Sequence, residues 1–314
     1  MTIVLDGPDL LSGICGANDG NLKVMENSLG GRIAARGNEI RLDGAGGGAS
    51  DRFRAMVDNL ASVVRDGEIP SPEYVATLAE TLGATDAVSG DEIRGAMIEI
   101  PHGFRRVYPR GAGQAAYVLG MRAGEIAFCV GPAGTGKTYL AVAESLRLVL
   151  SRKLRKLVLT RPVVEAGESL GFLPGDLSQK INPYLRPLYD AMESLVPCDA
   201  IRRMEENRTI EIAPLAYMRG RSLGDCAVIL DEAQNTTREQ MKMFLTRLGS
   251  GARAVVVGDA TQVDLPRKSE SGLAHAVEVL RGIEGLHFSF LGAADVVRNP
   301  IIKKIIRAYD ESGG

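Results

Sequence analysis

The 314-residue sequence has no tryptophan, only three histidines and four cysteines, and aromatic residues make up 5% of it. His102, His275 and His287 lie far apart, without the spacing of metal ligands. Cys15, Cys129, Cys198 and Cys226 include no C-x-x-C pair. That pattern argues against a zinc site or a disulfide framework, and free buried thiols are expected instead. No apolar run approaches the ~18 residues of a membrane span. The amino terminus, MTIVLDGPDL, lacks the basic stretch and apolar run of a signal peptide. A cytoplasmic protein is therefore expected. Formal charge is −2, so no global basic field gathers nucleic acid, and any such contact must come from a local patch.

What is present divides into three parts. Glycines at 44–48, Gly67 with Pro70 and Pro72, and the Gly/Pro-rich stretch 101–113 break the chain. Residues 1–90 are expected to form a small α+β domain, 91–112 a linker, and 113–314 the main domain. In the first part, Asn21–Leu29 reads as a helix stopped by Gly30 and Gly31. Two short strands follow at 32–35 and 39–42, and then a helix over 53–65 with Phe53, Met56, Val57, Leu60 and Val64 on one face. Beyond residue 115 short apolar strands at 126–130, 156–160, 228–230, 254–257 and 287–290 alternate with helical stretches, the signature of a covered parallel sheet. Residues 161–224 carry six prolines and are too long for a plain connection, so a structured insertion is expected there.

The chemistry is concentrated in two segments. Gly131, Pro132, Ala133, Gly134, Thr135, Gly136, Lys137 and Thr138 spell G-x-x-x-x-G-K-[ST] between a predicted strand and a predicted helix. Glycines let successive backbone N–H groups converge on a phosphate, and the helix start adds positive potential. Lys137 is expected to face the β- and γ-phosphates and Thr138 to ligate Mg²⁺. In Ala227–Gln234, four apolar residues end in Asp231, a second metal ligand, and Glu232, a base for the attacking water. Gln262, after the strand 254–257, is placed to sense the γ-phosphate, and Gln114 to read the adenine edge. ATP and Mg²⁺ are the expected cofactors.

These segments, with LTRPVVEAGESLGFLPGDL, INPYLRPLYDAM, IEIAPLAYMRGRSL, GDATQVDLP and DVVRNP, resemble the PhoH-like ATPases of bacteria over about residues 101–310. The resemblance implies one P-loop core of the RecA/superfamily 1 helicase type, preceded by a KH-like domain, in an ATPase of RNA metabolism. Gly16-Ala-Asn-Asp-Gly20 is one residue longer than the GXXG clamp of such a domain, and Asp19 opposes phosphate binding there. Single-stranded RNA and an endoribonuclease of RNA maturation are the partners expected. Arg161, Arg219 and Arg221, with Arg186, are candidate nucleic-acid contacts. Because only one motor domain fits the chain, a hexameric ring is expected, with Arg298, Arg219 or Arg221 as the finger that completes a neighbour's site; Arg298 acting within its own chain is the alternative. An ATP-dependent assembly switch is a second reading of the whole. A small-molecule kinase is a third, disfavoured by the acid pair.

Overall fold

A computed structural model describes residues 1–44, 46–82, 90–162, 177–267 and 270–297. They form two compact units, 1–97 with 108–115, and 98–107 with 116 onward. The expectation concerning Arg298 lies outside the described residues.

The first unit comprises β1 (Thr2–Val4), α1 (Pro8–Cys15), α2 (Gly20–Leu29), β2 (Arg32–Arg36), β3 (Glu39–Asp43), α3 (Ala49–Arg65), α4 (Pro72–Thr81) and α5 (Gly90–Gly95). Its three strands pair antiparallel in the order β1-β3-β2. Ile40 and Leu42 alternate inward along β3 and are buried, while Glu39, Arg41 and Asp43 face water. The expected apolar stripe of α3 is buried through Phe53, Met56, Val57 and Leu60. α4 opens on a built cap: Ser71 accepts the Tyr74 N–H, and Pro72 takes the first helical position, where its missing donor costs nothing. Between α1 and α2, Asn18 and Asp19 both adopt left-handed backbone (φ 52° and 55°).

The second unit contains β4 (Ile98–Ile100) and β5 (Arg105–Val107), then most of α6 (Ala112–Ala123), and β6 (Ile126–Val130), α7 (Lys137–Leu150) and β7 (Lys156–Arg161). It continues with α8 (Leu177–Glu193), α9 (Cys198–Glu206), β8 (Ile210–Pro214), β9 (Cys226–Leu230), α10 (Arg238–Leu245), β10 (Arg253–Gly258), α11 (Gly272–Val279) and β11 (Leu286–Phe290). Six strands make one parallel sheet in the order β11-β6-β10-β9-β7-β8. One strand, β10, thus separates β6, which leads into the glycine loop, from β9, which ends at Asp231. Phe128, Val158, Val228 and Val256 are fully buried on these strands, packed with Phe244 of α10. Phe128 and Phe288, opposite one another in register, stack with ring centroids 4.7 Å apart. Each such aromatic or branched side chain removed from water contributes about 1.5–3 kcal/mol.

The segment 161–224, expected as a structured insertion, also contributes to the core sheet: β8 lies within it and forms an edge strand beside β7. The stretch 91–112 is more than a linker. It holds the end of α5 and the antiparallel hairpin β4–β5, and β4 packs on α7. Cys129 and Cys226 are buried thiols on β6 and β9 as expected, and burial pushes both upward in pKa. Cys198, at the start of α9, is exposed instead. Among the described residues no helix is long and apolar enough to cross a membrane.

Candidate functional site

In a parallel sheet the carboxyl ends of all strands open on one edge, and ligands bind there. Register brings four of those ends together: Val130 lies opposite Gly258, and Leu230 opposite Thr160. The residues that follow, Gly131, Asp259, Asp231 and Arg161, therefore share that edge. A cleft of about 290 Å³ opens at this edge, lined in part by Gly134, Gly136, Lys137, Thr138, Asp231, Glu232, Asp259 and Gln262.

The glycine loop has the backbone its sequence predicts. Gly134 and Gly136 take φ of +83° and +78°, a region that any side chain would strain. Thr135 pins the loop internally by donating to the Pro132 carbonyl at 2.9 Å. The loop is also held from outside, since Gly131 N–H donates to Gly258 O (3.1 Å) and Val297 N–H to Gly134 O (2.8 Å).

Lys137 is buried, and its ammonium donates to the carbonyls of Gly131 (2.6 Å) and Pro132 (2.8 Å). Burial lowers its pKa, and the surrounding acids Asp259, Glu232 and Asp231 oppose that shift. The Thr138 hydroxyl donates to Asp231 Oδ1 at 2.8 Å. Asp231 is itself buried, and desolvation raises its pKa, with Arg161 the largest opposing influence. A hydroxyl and a carboxylate meeting at the floor of the cleft are hard oxygen donors of the kind Mg²⁺ takes. With the buried ammonium and the glycine loop at a helix start, these residues fit a nucleotide phosphate and its metal.

Glu232 sits at the mouth with left-handed backbone (φ 51°), a conformation uncommon outside glycine that clusters at functional sites. Its Oε1 is 2.9 Å from Arg161 Nη2, and its Oε2 accepts from Gln234 Nε2 at 2.5 Å. Arg161 Nε also lies 4.0 Å from Asp231 Oδ2. The structure thus brings Arg161, read as a nucleic-acid contact, directly to the acid pair. Gln262 lines the cleft and donates to Asp259 Oδ2 at 2.8 Å.

Two residues were missed in the sequence. Asp259 accepts the Ala133 N–H (3.0 Å) along with the Thr261 and Gln262 donors, so it braces the glycine loop. Burial alone would raise its pKa, yet the Thr261 bonds, Lys137 and the Ala133 amide together bring it below the ordinary value. Gln234, 1% exposed, accepts the Asp259 N–H at 2.9 Å and so ties the loops after β9 and β10. The one sequence signal for either was its position after an apolar strand, Asp259 directly after β10 and Gln234 four residues past the end of β9.

Of the other candidates, Arg221 is held by Glu211 through two contacts, the Nη2–Oε2 one at 2.8 Å. Arg186 pairs with Asp190 and Glu193. Arg219 is exposed at the end of the turn after β8 and makes no ion pair among the described residues. Gln114 is buried, with Oε1 accepting the Arg110 N–H at 2.7 Å.

The family model described as PhoH-like protein matches residues 106–310. PhoH-like proteins of Bacillus subtilis (strain 168) and Mycobacterium tuberculosis (strain H37Rv) are each 44% identical to the chain. The alignments cover 98% and 96% of this chain and 96% and 85% of those proteins. Protein PhoH of Escherichia coli K12 is 40% identical over 205 residues, 65% of this chain and 58% of that protein.

Proposed function

This chain belongs to the PhoH-like family, and we propose that it is a magnesium-dependent ATPase acting in RNA metabolism. One observation carries the catalytic part: Lys137, the Thr138–Asp231 pair and Glu232 converge on a single cleft at the carboxyl edge of the sheet. The loop amides and Lys137 bind and orient the phosphates. Thr138 and Asp231 hold the metal, whose charge, when it is bound, offsets that of the phosphates. Glu232 orients a water and takes its proton, and Gln262 holds its place near the γ-phosphate by bonding to Asp259.

The RNA part rests on the helicase-like resemblance and on the exposed cation Arg219, with single-stranded RNA as ligand and an endoribonuclease as the partner class. The reading extends to a hexameric ring in which a finger from the next subunit completes each site, Arg298 being the first candidate. The test is phosphate release from ATP with and without Mg²⁺ and single-stranded RNA, alongside light scattering. Turnover that needs Mg²⁺ and rises with RNA supports the reading, whereas nucleotide binding without turnover points to an assembly switch. Mixing Lys137→Ala with Arg298→Ala subunits restores activity if the finger acts across an interface.

A further inference from the structure

Both oxygens of the candidate base are engaged by its own chain. Gln234 holds Oε2, and its amide orientation is fixed, because its carbonyl oxygen already accepts the Asp259 N–H. That side chain is buried and tied on both sides, so it stays. Arg161 holds Oε1 and is less enclosed, although its Nε also lies 4.0 Å from Asp231 Oδ2. It is the last residue of β7, its side chain is 19% exposed, and it approaches Glu232 from the strand beside β9. In this geometry Glu232 has a guanidinium where it needs a water.

We propose that Arg161 is an autoinhibitory partner of Glu232, released when a phosphodiester of single-stranded RNA takes its guanidinium. A planar guanidinium fork matches phosphate as well as it matches carboxylate, so the two anions compete for one cation. β8 pairs with β7 so that Arg161 lies opposite Pro214, and the chain then turns to the exposed Arg219. The same sheet edge therefore offers a second cation to a bound strand. RNA binding and hydrolysis become linked through one side chain: while Arg161 is on Glu232 the base is blocked, and while it is on RNA the base is free. This inference rests on the ATPase reading above and adds its regulation.

Linkage of this kind is reciprocal, so it is measurable without nucleotide. In fluorescence anisotropy with labelled oligo(U) and no ATP, Glu232→Gln should bind tighter than the parent. Its salt slope should steepen by about 0.7, one phosphate contact on a single strand. Arg161→Gln should lose that contact, and Arg161→Gln/Glu232→Gln should match Arg161→Gln alone. In ATPase assays Arg161→Gln should exceed the parent's RNA-free rate by roughly 10–150-fold, the range for one charge-assisted hydrogen bond, and should ignore oligo(U). Arg161→Lys, keeping the charge without the fork, should fall between the two. An Arg161→Gln rate at or below the parent's, with nucleotide affinity intact, would overturn the proposal and make Arg161 a positioning residue. Equal oligo(U) affinity and slope in the parent and Glu232→Gln would overturn it too, and that comparison stands even if Arg161→Gln does not fold. If no variant hydrolyses ATP yet the oligo(U) coupling between positions 161 and 232 persists, the ATPase reading fails and the competition for Arg161 survives.

Discussion

Thr138 and Asp231, 93 positions apart in sequence, share a hydrogen bond of 2.8 Å at the floor of the cleft. The first turn of α7 supplies the hydroxyl and the end of β9 the carboxylate, with β10 between their strands. Since both atoms are hard oxygen donors, either one's loss should act through the metal. Thr138→Ala and Asp231→Asn should lower ATP affinity in Mg²⁺ by about 10–100-fold and leave the weaker affinity in EDTA unchanged. Fluorescent-nucleotide titrations in the two buffers check this.

Gly131 tests the loop's frame apart from its chemistry. A Cβ there would stand 2.6 Å from the Leu291 carbonyl oxygen, a backbone atom that cannot step aside. Gly131→Ala should therefore cost about 1–3 kcal/mol of stability through overpacking. Chemical denaturation in the absence of nucleotide reads this directly, and an unchanged midpoint would place the loop farther from β11.

The two motifs were legible because each is local: an apolar strand followed by residues with one chemistry. Five core strands were legible for the same reason. β8 was not, since Ile210–Pro214 carries Glu211 within its apolar residues, ends in proline and lies in a proline-rich stretch. Nor was α8, which carries Pro183 and Pro187 within its span. The contacts of Arg161 with Glu232, and of Gln234 with Asp259, depend on β7 and β10 flanking β9. Strand order is a tertiary property that chain order does not reveal, so Arg161 was assigned to RNA without its acid partner.

The Arg221–Glu211 pair carries a pH dependence. The hydrogen bond from Arg221 lowers the Glu211 pKa, against the effect of burial and with help from Lys156. A depressed carboxylate adds stability above its ordinary value of 4.5, and that stability is lost as pH falls through the lower folded value. Glu211→Gln should thus be less stable than the parent at pH 7, and the gap should close progressively below pH 4.5. Denaturation midpoints across pH 3–7 are the measurement, and a gap independent of pH would contradict an ionic origin.

Glu232→Gln separates the proposed role of Glu232, as base of an ATP-hydrolysing cleft, from nucleotide binding. Equilibrium ATP binding and phosphate release should be measured on the same preparation, with Lys137→Ala as the non-binding control. Glu232→Gln should bind Mg-ATP at least as well as the parent and release phosphate about 10²–10⁴-fold more slowly. Phosphate release by Glu232→Gln at the parent's rate would contradict that role and assign the base elsewhere.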